Sequence, residues 1–149
     1  MHIIAAKAVC FAEAMAPAFE NYGRRVVANA RTLAAALEGE GFVPVTGGTD
    51  IHLLILDLAG ERVQGHDAES ALSRAGIAAD HCPVPGRGEG YDTATGIRLG
   101  TPAATTRGMG EEEMKALASI IAGVLRNPGR IDEARGEVAA LAAGFPIRP

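Results

Sequence analysis

Apolar positions recur along the chain in several distinct rhythms. From His2 to Met15 the residues are Ala-rich and free of breakers, and Ile3, Ile4, Ala6, Val9, Cys10 and Met15 surround most of a helical circumference. A helix that is apolar nearly all round needs neighbours on more than one side. Pro17 suits the first turn of a second helix, in which Phe19, Tyr22, Val26, Ala30, Leu33 and Leu37 follow at steps of three and four until Gly39 and Gly41 stop it. Phe42 to Val45 predicts a short strand, closed by the turn Thr46-Gly47-Gly48-Thr49-Asp50. Ile51 to Leu58 is nearly continuous aliphatic and predicts a strand covered on both faces. A helix is expected from Gly65 to Ala75, stopped by Gly76, with a short extended piece opening at Ile77. Residues 83–96 have no apolar period and predict a long loop, a kind of segment that is often functional; Ile97 to Leu99 predicts a last strand.

Glu111, Glu112 and Glu113 then crowd a helix start, where carboxylates meet the positive end of the dipole. Met114, Leu117, Ile120, Ile121, Val124 and Leu125 supply its buried face, Asn127-Pro128 ends it, and Ile131 to Ala143 forms a final helix. The order is that of one α/β or α+β layer domain without internal repeats.

The chain has 149 residues, the size of one ordinary domain, and a net charge of −4. Such a balance argues against nucleic acid or an anionic membrane as partner. No run nears the ~18 apolar residues of a membrane helix, and the N-terminus lacks a signal-peptide pattern; a cytoplasmic location is expected. Cys10 and Cys82 form no disulfide framework: Cys10 reads as a core residue and Cys82 as a strand-end or loop residue. The histidines at 2, 52, 66 and 81 make no His-x-x-x-His pattern, so no metal site is expected, and His52 reads as a hydrogen-bonded core histidine. Ser70, Ser73 and Ser119 lie in helical segments and no nucleophile elbow surrounds them. Gly47-Gly48-Thr49 could cradle a phosphate, but a strand follows instead of a helix, and a tight turn is the better reading.

Arg98 stands apart. It lies between Ile97 and Leu99, directly after the long loop. A guanidinium turned toward the interior needs an anion, and a planar carboxylate matches it best. An internal Asp or Glu and a substrate carboxylate both satisfy that requirement.

At this point the chain resembles a known family. The run Thr95-Gly96-Ile97-Arg98-Leu99-Gly100-Thr101-Pro102-Ala103, with Thr105-Thr106-Arg107-Gly108-Met109 behind it, is similar to the C-terminal signature of serine hydroxymethyltransferases. Ile3 to Ala8, Val26 to Arg31, Gly47 to Asp50 with His52-Leu53, Arg74 to Ile77 and Phe145-Pro146-Ile147 match the family in the same order. The resemblance implies the α+β small domain of a fold-type I pyridoxal-phosphate transferase: a short mixed sheet packed with helices (17–149), preceded by a linking helix (1–16) that packs on a large cofactor domain. It implies serine–glycine interconversion with tetrahydrofolate and a homodimeric intact enzyme. Arg98 would hold the amino-acid carboxylate in a cleft beside the first helix, while Gly47, Gly48, Thr49 and Ile51 would face the folate.

The departures limit what this stretch is expected to do. The family's Schiff-base lysine, in a Thr-Thr-His-Lys motif, its phosphate-binding residues and its stacking histidine lie upstream of this stretch. Lys7 and Lys115 are its only lysines and neither has that context. No catalytic or cofactor-binding residue is therefore expected within it, and pyridoxal 5'-phosphate is expected only in the intact enzyme. These residues alone are expected to be inactive, completed by a large pyridoxal-phosphate domain or a second subunit. Ile51 stands where the family usually has a pterin-binding Asn, and an aliphatic side chain cannot replace an amide. A related pyridoxal-phosphate aldolase or transaldolase fits that change as well. A non-catalytic interaction module, using the apolar first helix, is the reading from another class.

Overall fold

The computed structural model describes residues 1–147. Helix α1 (His2–Ala14) is followed by the long α2 (Pro17–Gly39), which Pro17 opens and on which Val26, Asn29, Ala30, Leu33, Ala34 and Leu37 are buried. The helical spacing noted in the sequence therefore forms one inward stripe. Beyond it come β1 (Val43–Pro44), β2 (Leu53–Asp57), α3 (Gly65–Arg74), β3 (Asp80–Cys82), β4 (Gly96–Gly100), α4 (Pro102–Arg107), α5 (Glu111–Arg126) and α6 (Ile131–Ala143).

The four strands form one sheet in the order β1-β2-β4-β3. Every pairing is antiparallel, not mixed as expected, with Leu54 opposite Leu99, Ile55 opposite Arg98 and Asp80 opposite Arg98. Burial alternates along the central strands. Leu54, Leu56, Ile97 and Leu99 are buried, whereas Leu53, Ile55 and Asp57 are half-buried and Arg98 is exposed. Helices α2 and α3 lie against the sheet, α5 packs across both of them, and α6 leans on α5 and α3. The core forms between these helices and one sheet face, from Leu37, Phe42, Leu54, Leu56, Leu72, Ile97, Met114, Ile121 and Leu125 among others.

This one-sided arrangement corrects several expectations. The aliphatic run at 51–58 is a five-residue strand covered on one face only, the usual state of an antiparallel sheet. His52 lies outside that strand and is exposed. The extended piece expected at Ile77 begins at Asp80, and Pro102–Arg107 adds a short helix that no periodicity signalled. Cys10 is exposed because nothing buries α1. Phe11 is 65% and Met15 86% exposed, with Ile3, Ile4 and Val9 also bare, so the helix is apolar on all sides and the described residues leave it uncovered.

A buried hydrogen-bond network ties the sheet's exit to α2. Asn29 Nδ2 donates to Thr105 Oγ1 at 2.9 Å and to the Met109 carbonyl at 3.0 Å. Thr105 Oγ1 in turn donates to the Thr101 carbonyl at 2.8 Å, and Thr101 Oγ1 donates to the Val26 carbonyl at 2.9 Å. At the other end of α4, Arg107 donates to the carbonyls of Phe145 and Ala142, at 2.7 and 2.8 Å, closing the last turn of α6.

Two measurements of urea unfolding check this division of labour. Leu56→Ala, at a fully buried position, is expected to lower stability by about 2–5 kcal/mol. Deletion of residues 1–15 is expected to change it by less than about 0.5 kcal/mol, as for other surface changes, and to reduce binding of a hydrophobic dye.

Candidate functional site

The uncovered sheet face collects the chemistry. Because side chains alternate across a strand, the pairing that buries Ile97 and Leu99 turns Arg98 outward, between Ile55 of β2 and Asp80 of β3. The guanidinium pairs with the Asp80 carboxylate, and the two side chains remain 50% and 59% exposed. Asp80, through that hydrogen bond and its charge, holds Arg98 still more firmly protonated. An ion pair this exposed contributes at most about 1 kcal/mol, so another carboxylate can compete for the same guanidinium.

Cys82 follows Asp80 at the next outward position of β3. Burial pushes its thiol up, against the pull of Arg98, which disfavours the reactive thiolate. Arg98 lines a shallow depression of about 400 Å³ with His52, Leu53, Ala78, Ala79, Asp80 and Gly100. None of these lining residues comes from α1, the helix beside which a cleft was expected. Immediately after β4 the Thr101 N–H donates to the carbonyl of His52, one of the lining residues, at 3.0 Å.

A second hollow of about 220 Å³ adjoins the first and shares Leu53 with it. Gly48, Thr49 and Ile51 line it, together with Ile55 and Pro85 from the long loop. Gly47 opens instead toward Asp57 and Val84. The segment is the tight turn its composition predicts: Gly47 takes φ +73°, and even Thr46 is left-handed at +65°. Thr49 Oγ1 donates to the Leu53 carbonyl at 2.5 Å and accepts from the Ile51 N–H at 3.2 Å, tying the turn to the first residue of β2.

Residues 83–95 are held down rather than loose. Glu89 accepts from Thr95 Oγ1 at 2.6 Å, from the Thr95 N–H at 3.1 Å and from the Val84 N–H at 3.0 Å. These bonds, led by the Thr95 hydroxyl, hold its carboxyl below the ordinary range despite partial desolvation. Arg87 pairs with Asp57. Ala94 packs so closely on Gly65 that a Cβ there would stand 2.1 Å from its carbonyl oxygen. Glycine is thus required by contact as well as by its φ of +56°.

Neither lysine shares this face. Lys7 is on exposed α1, and Lys115 is on α5, in the helical layer, donating to Glu112 at 2.7 Å. The sequence singled out Arg98 and left an internal Asp or Glu open as its partner, but did not identify Asp80, which only strand pairing places opposite it. It also missed a cluster on the other side of β3, where His81 meets Glu69 and His66 of α3; there the only signal was the spacing His66-x-x-Glu69.

Comparison with known proteins places these residues in context. The family model described as "Serine hydroxymethyltransferase" matches residues 1–121. A serine hydroxymethyltransferase of Desulforapulum autotrophicum is 47% identical over 147 residues, covering 99% of this chain and 35% of that protein. One of Acidobacterium capsulatum is 44% identical over 155 residues, with the same two shares. The chain thus spans about a third of the length of the relatives it matches.

The Glu89 clasp makes a pH prediction. A carboxyl depressed by folding contributes stability above its ordinary pKa, and that contribution is lost as pH falls through the depressed value. The wild-type urea midpoint is expected to exceed that of Glu89→Gln at about pH 6–7, with the gap narrowing as pH falls below the ordinary carboxyl range toward the depressed value. A gap that stays constant over that range would show that ionised Glu89 does not hold the loop.

Proposed function

The chain belongs to the serine hydroxymethyltransferase family, and from that premise we propose that it is the C-terminal part of a pyridoxal-phosphate hydroxymethyltransferase, with Arg98 as the residue that receives the substrate amino acid's carboxylate. The observation that carries this reading is the outward position of Arg98 in a depression of the uncovered sheet face, paired among the described residues only with the exposed Asp80. A planar guanidinium offers two parallel N–H donors to a carboxylate, fixing its orientation as well as its position.

Partner exchange is the step this geometry supports. In water the Arg98–Asp80 pair is weakly held. Once another body covers the face and excludes water, a charge-assisted bond to the substrate carboxylate strengthens to about 1.5–3 kcal/mol, and Asp80 is released to solvent or to the substrate's ammonium group. Pyridoxal phosphate would supply the electron sink for chemistry at the substrate's Cα. Neither Lys7 nor Lys115 is positioned to hold it near Arg98, so that role falls to a large domain or second subunit. The adjoining hollow at Gly48, Thr49 and Ile51 is where a one-carbon carrier such as tetrahydrofolate would approach. Ile51 offers it an apolar contact in place of an amide.

The bare α1 fits the same scheme as the element that docks on that second body, with 17–149 as the domain it carries. The apolar exposure of α1 also supports a second reading, a non-catalytic interaction module. A cytoplasmic setting accords with the family; among the described residues no single helix is long and apolar enough to cross a membrane.

The test is a chimera in which this chain replaces the corresponding third of the Desulforapulum autotrophicum protein. Serine–glycine interconversion is expected, with Arg98→Ala raising the KM for serine about 10- to 150-fold and Arg98→Lys recovering only part of it. An unchanged KM in Arg98→Ala would refute the carboxylate role. An inactive but folded chimera would favour the interaction module. The isolated chain, treated with pyridoxal phosphate and borohydride, is expected to show no stoichiometric adduct at either lysine.

A further inference from the structure

On the helix-covered side of β3, opposite to Arg98, three side chains converge that the carboxylate site does not use. His66 and Glu69 stand one turn apart in α3, and the β-strand alternation that turns Asp80 outward turns His81 toward them. His81 Nδ1 is hydrogen-bonded to Glu69 Oε2, which also accepts the His81 backbone N–H at 3.1 Å. The His66 ring stands edge-on to His81, 5.6 Å between centroids, and Tyr91 covers His81 from the loop side at 4.2 Å. One ligating atom from each of His66, Glu69 and His81 lies within 4.8 Å of the others.

We propose that His66, Glu69 and His81 form a binding site for a late first-row divalent metal ion, zinc foremost. Two imidazoles and one carboxylate are a donor set that zinc accepts, with water in a fourth position. Tetrahedral coordination at about 2.0–2.2 Å brings ligating atoms to roughly 3.4 Å from one another. His66, exposed at the start of α3, has the freedom to close the remaining gap of at most roughly 1.4 Å, while the Glu69–His81 hydrogen bond opens and gives up its proton to admit the ion. The other two ligands are already oriented: Glu69 by the His81 N–H, and the His81 ring by its packing against Tyr91. The bound ion would staple α3 to the edge strand whose preceding residue, Asp80, faces Arg98, without itself touching the carboxylate site.

Calorimetric titration of the whole 149-residue chain with zinc chloride at neutral pH tests this. One ion per chain is expected, with a dissociation constant of about 10 µM or tighter. Cobalt(II) should bind at the same stoichiometry, with the intense visible absorption of a tetrahedral site. His66→Ala, at an exposed position, and Glu69→Gln should each weaken zinc at least about tenfold, since losing an outer partner of a ligand already has that effect. His2→Ala and Cys10→Ser should leave it unchanged. Zinc should also raise the wild-type melting temperature and not that of His66→Ala. The proposal is overturned if the wild type takes up no zinc at 100 µM, about ten times that constant. It is equally overturned if His66→Ala, with an unaltered circular dichroism spectrum, binds zinc as tightly as the wild type.

Discussion

The antiparallel ladder between β2 and β4 is the constraint on which the rest of this molecule depends. Its register sets Leu54 against Leu99 and Leu56 against Ile97 on the face that meets α2 and α3, and thereby sets Ile55 against Arg98 on the other. A slip by one residue would drive a guanidinium into the core and expose Ile97 and Leu99. Burying an uncompensated charge is far more costly than any alternative contact could repay, so the hydrophobic effect on one face fixes the position of the cation on the other. No separate device is needed to aim Arg98.

That view sorts the family motifs into those that hold the frame and those left exposed on the open face. Val26 and Asn29, from one motif, are joined to Thr101, Thr105 and Met109, from two others, by bonds among buried groups. These bonds from one amide nitrogen and two hydroxyls, all to groups inside the protein, lock α2, α4 and the end of β4 into one arrangement. Arg107 and Phe145 do the same between α4 and α6. Around Arg98, by contrast, the contacts are exposed and exchangeable.

Helices were legible wherever a single apolar stripe recurs: α2, α3 and α5 fall close to where their spacing puts them, because one buried face suffices to define a helix. Strand edges were not. Ile51 to Leu58 reads as doubly buried because Leu53 and Ile55 on the outer face are as aliphatic as Leu54 and Leu56 on the inner one. The sequence carries no sign that helices cover only one side. Arg98 was legible as a cation in a strand, yet its partner was not, since Asp80 is eighteen residues away and becomes a neighbour only through the β3–β4 pairing. The short α4 escaped notice for a simpler reason: six residues cannot display a period.

The aliphatic outer face and the bare α1 pose one physical question. Leu53 and Ile55 lie half-buried on the sheet surface that carries Arg98, and α1 presents Ile3, Ile4, Val9, Phe11 and Met15 to water. A 13-residue helix is marginal in water by itself, and α1 buries nothing to support it. Its apolar character and its helical form both make sense when a surface closes over it, and closure over the Arg98 face would have a parallel effect. Water would leave the depression, the Arg98–Asp80 pair would lose the solvent that makes it weak and exchangeable, and the guanidinium would bind whichever carboxylate fits the enclosed geometry best. On the proposed function, then, covering the aliphatic surface and selecting the substrate are one event, and the affinity of Arg98 for an amino acid is a property of the closed assembly rather than of the arginine.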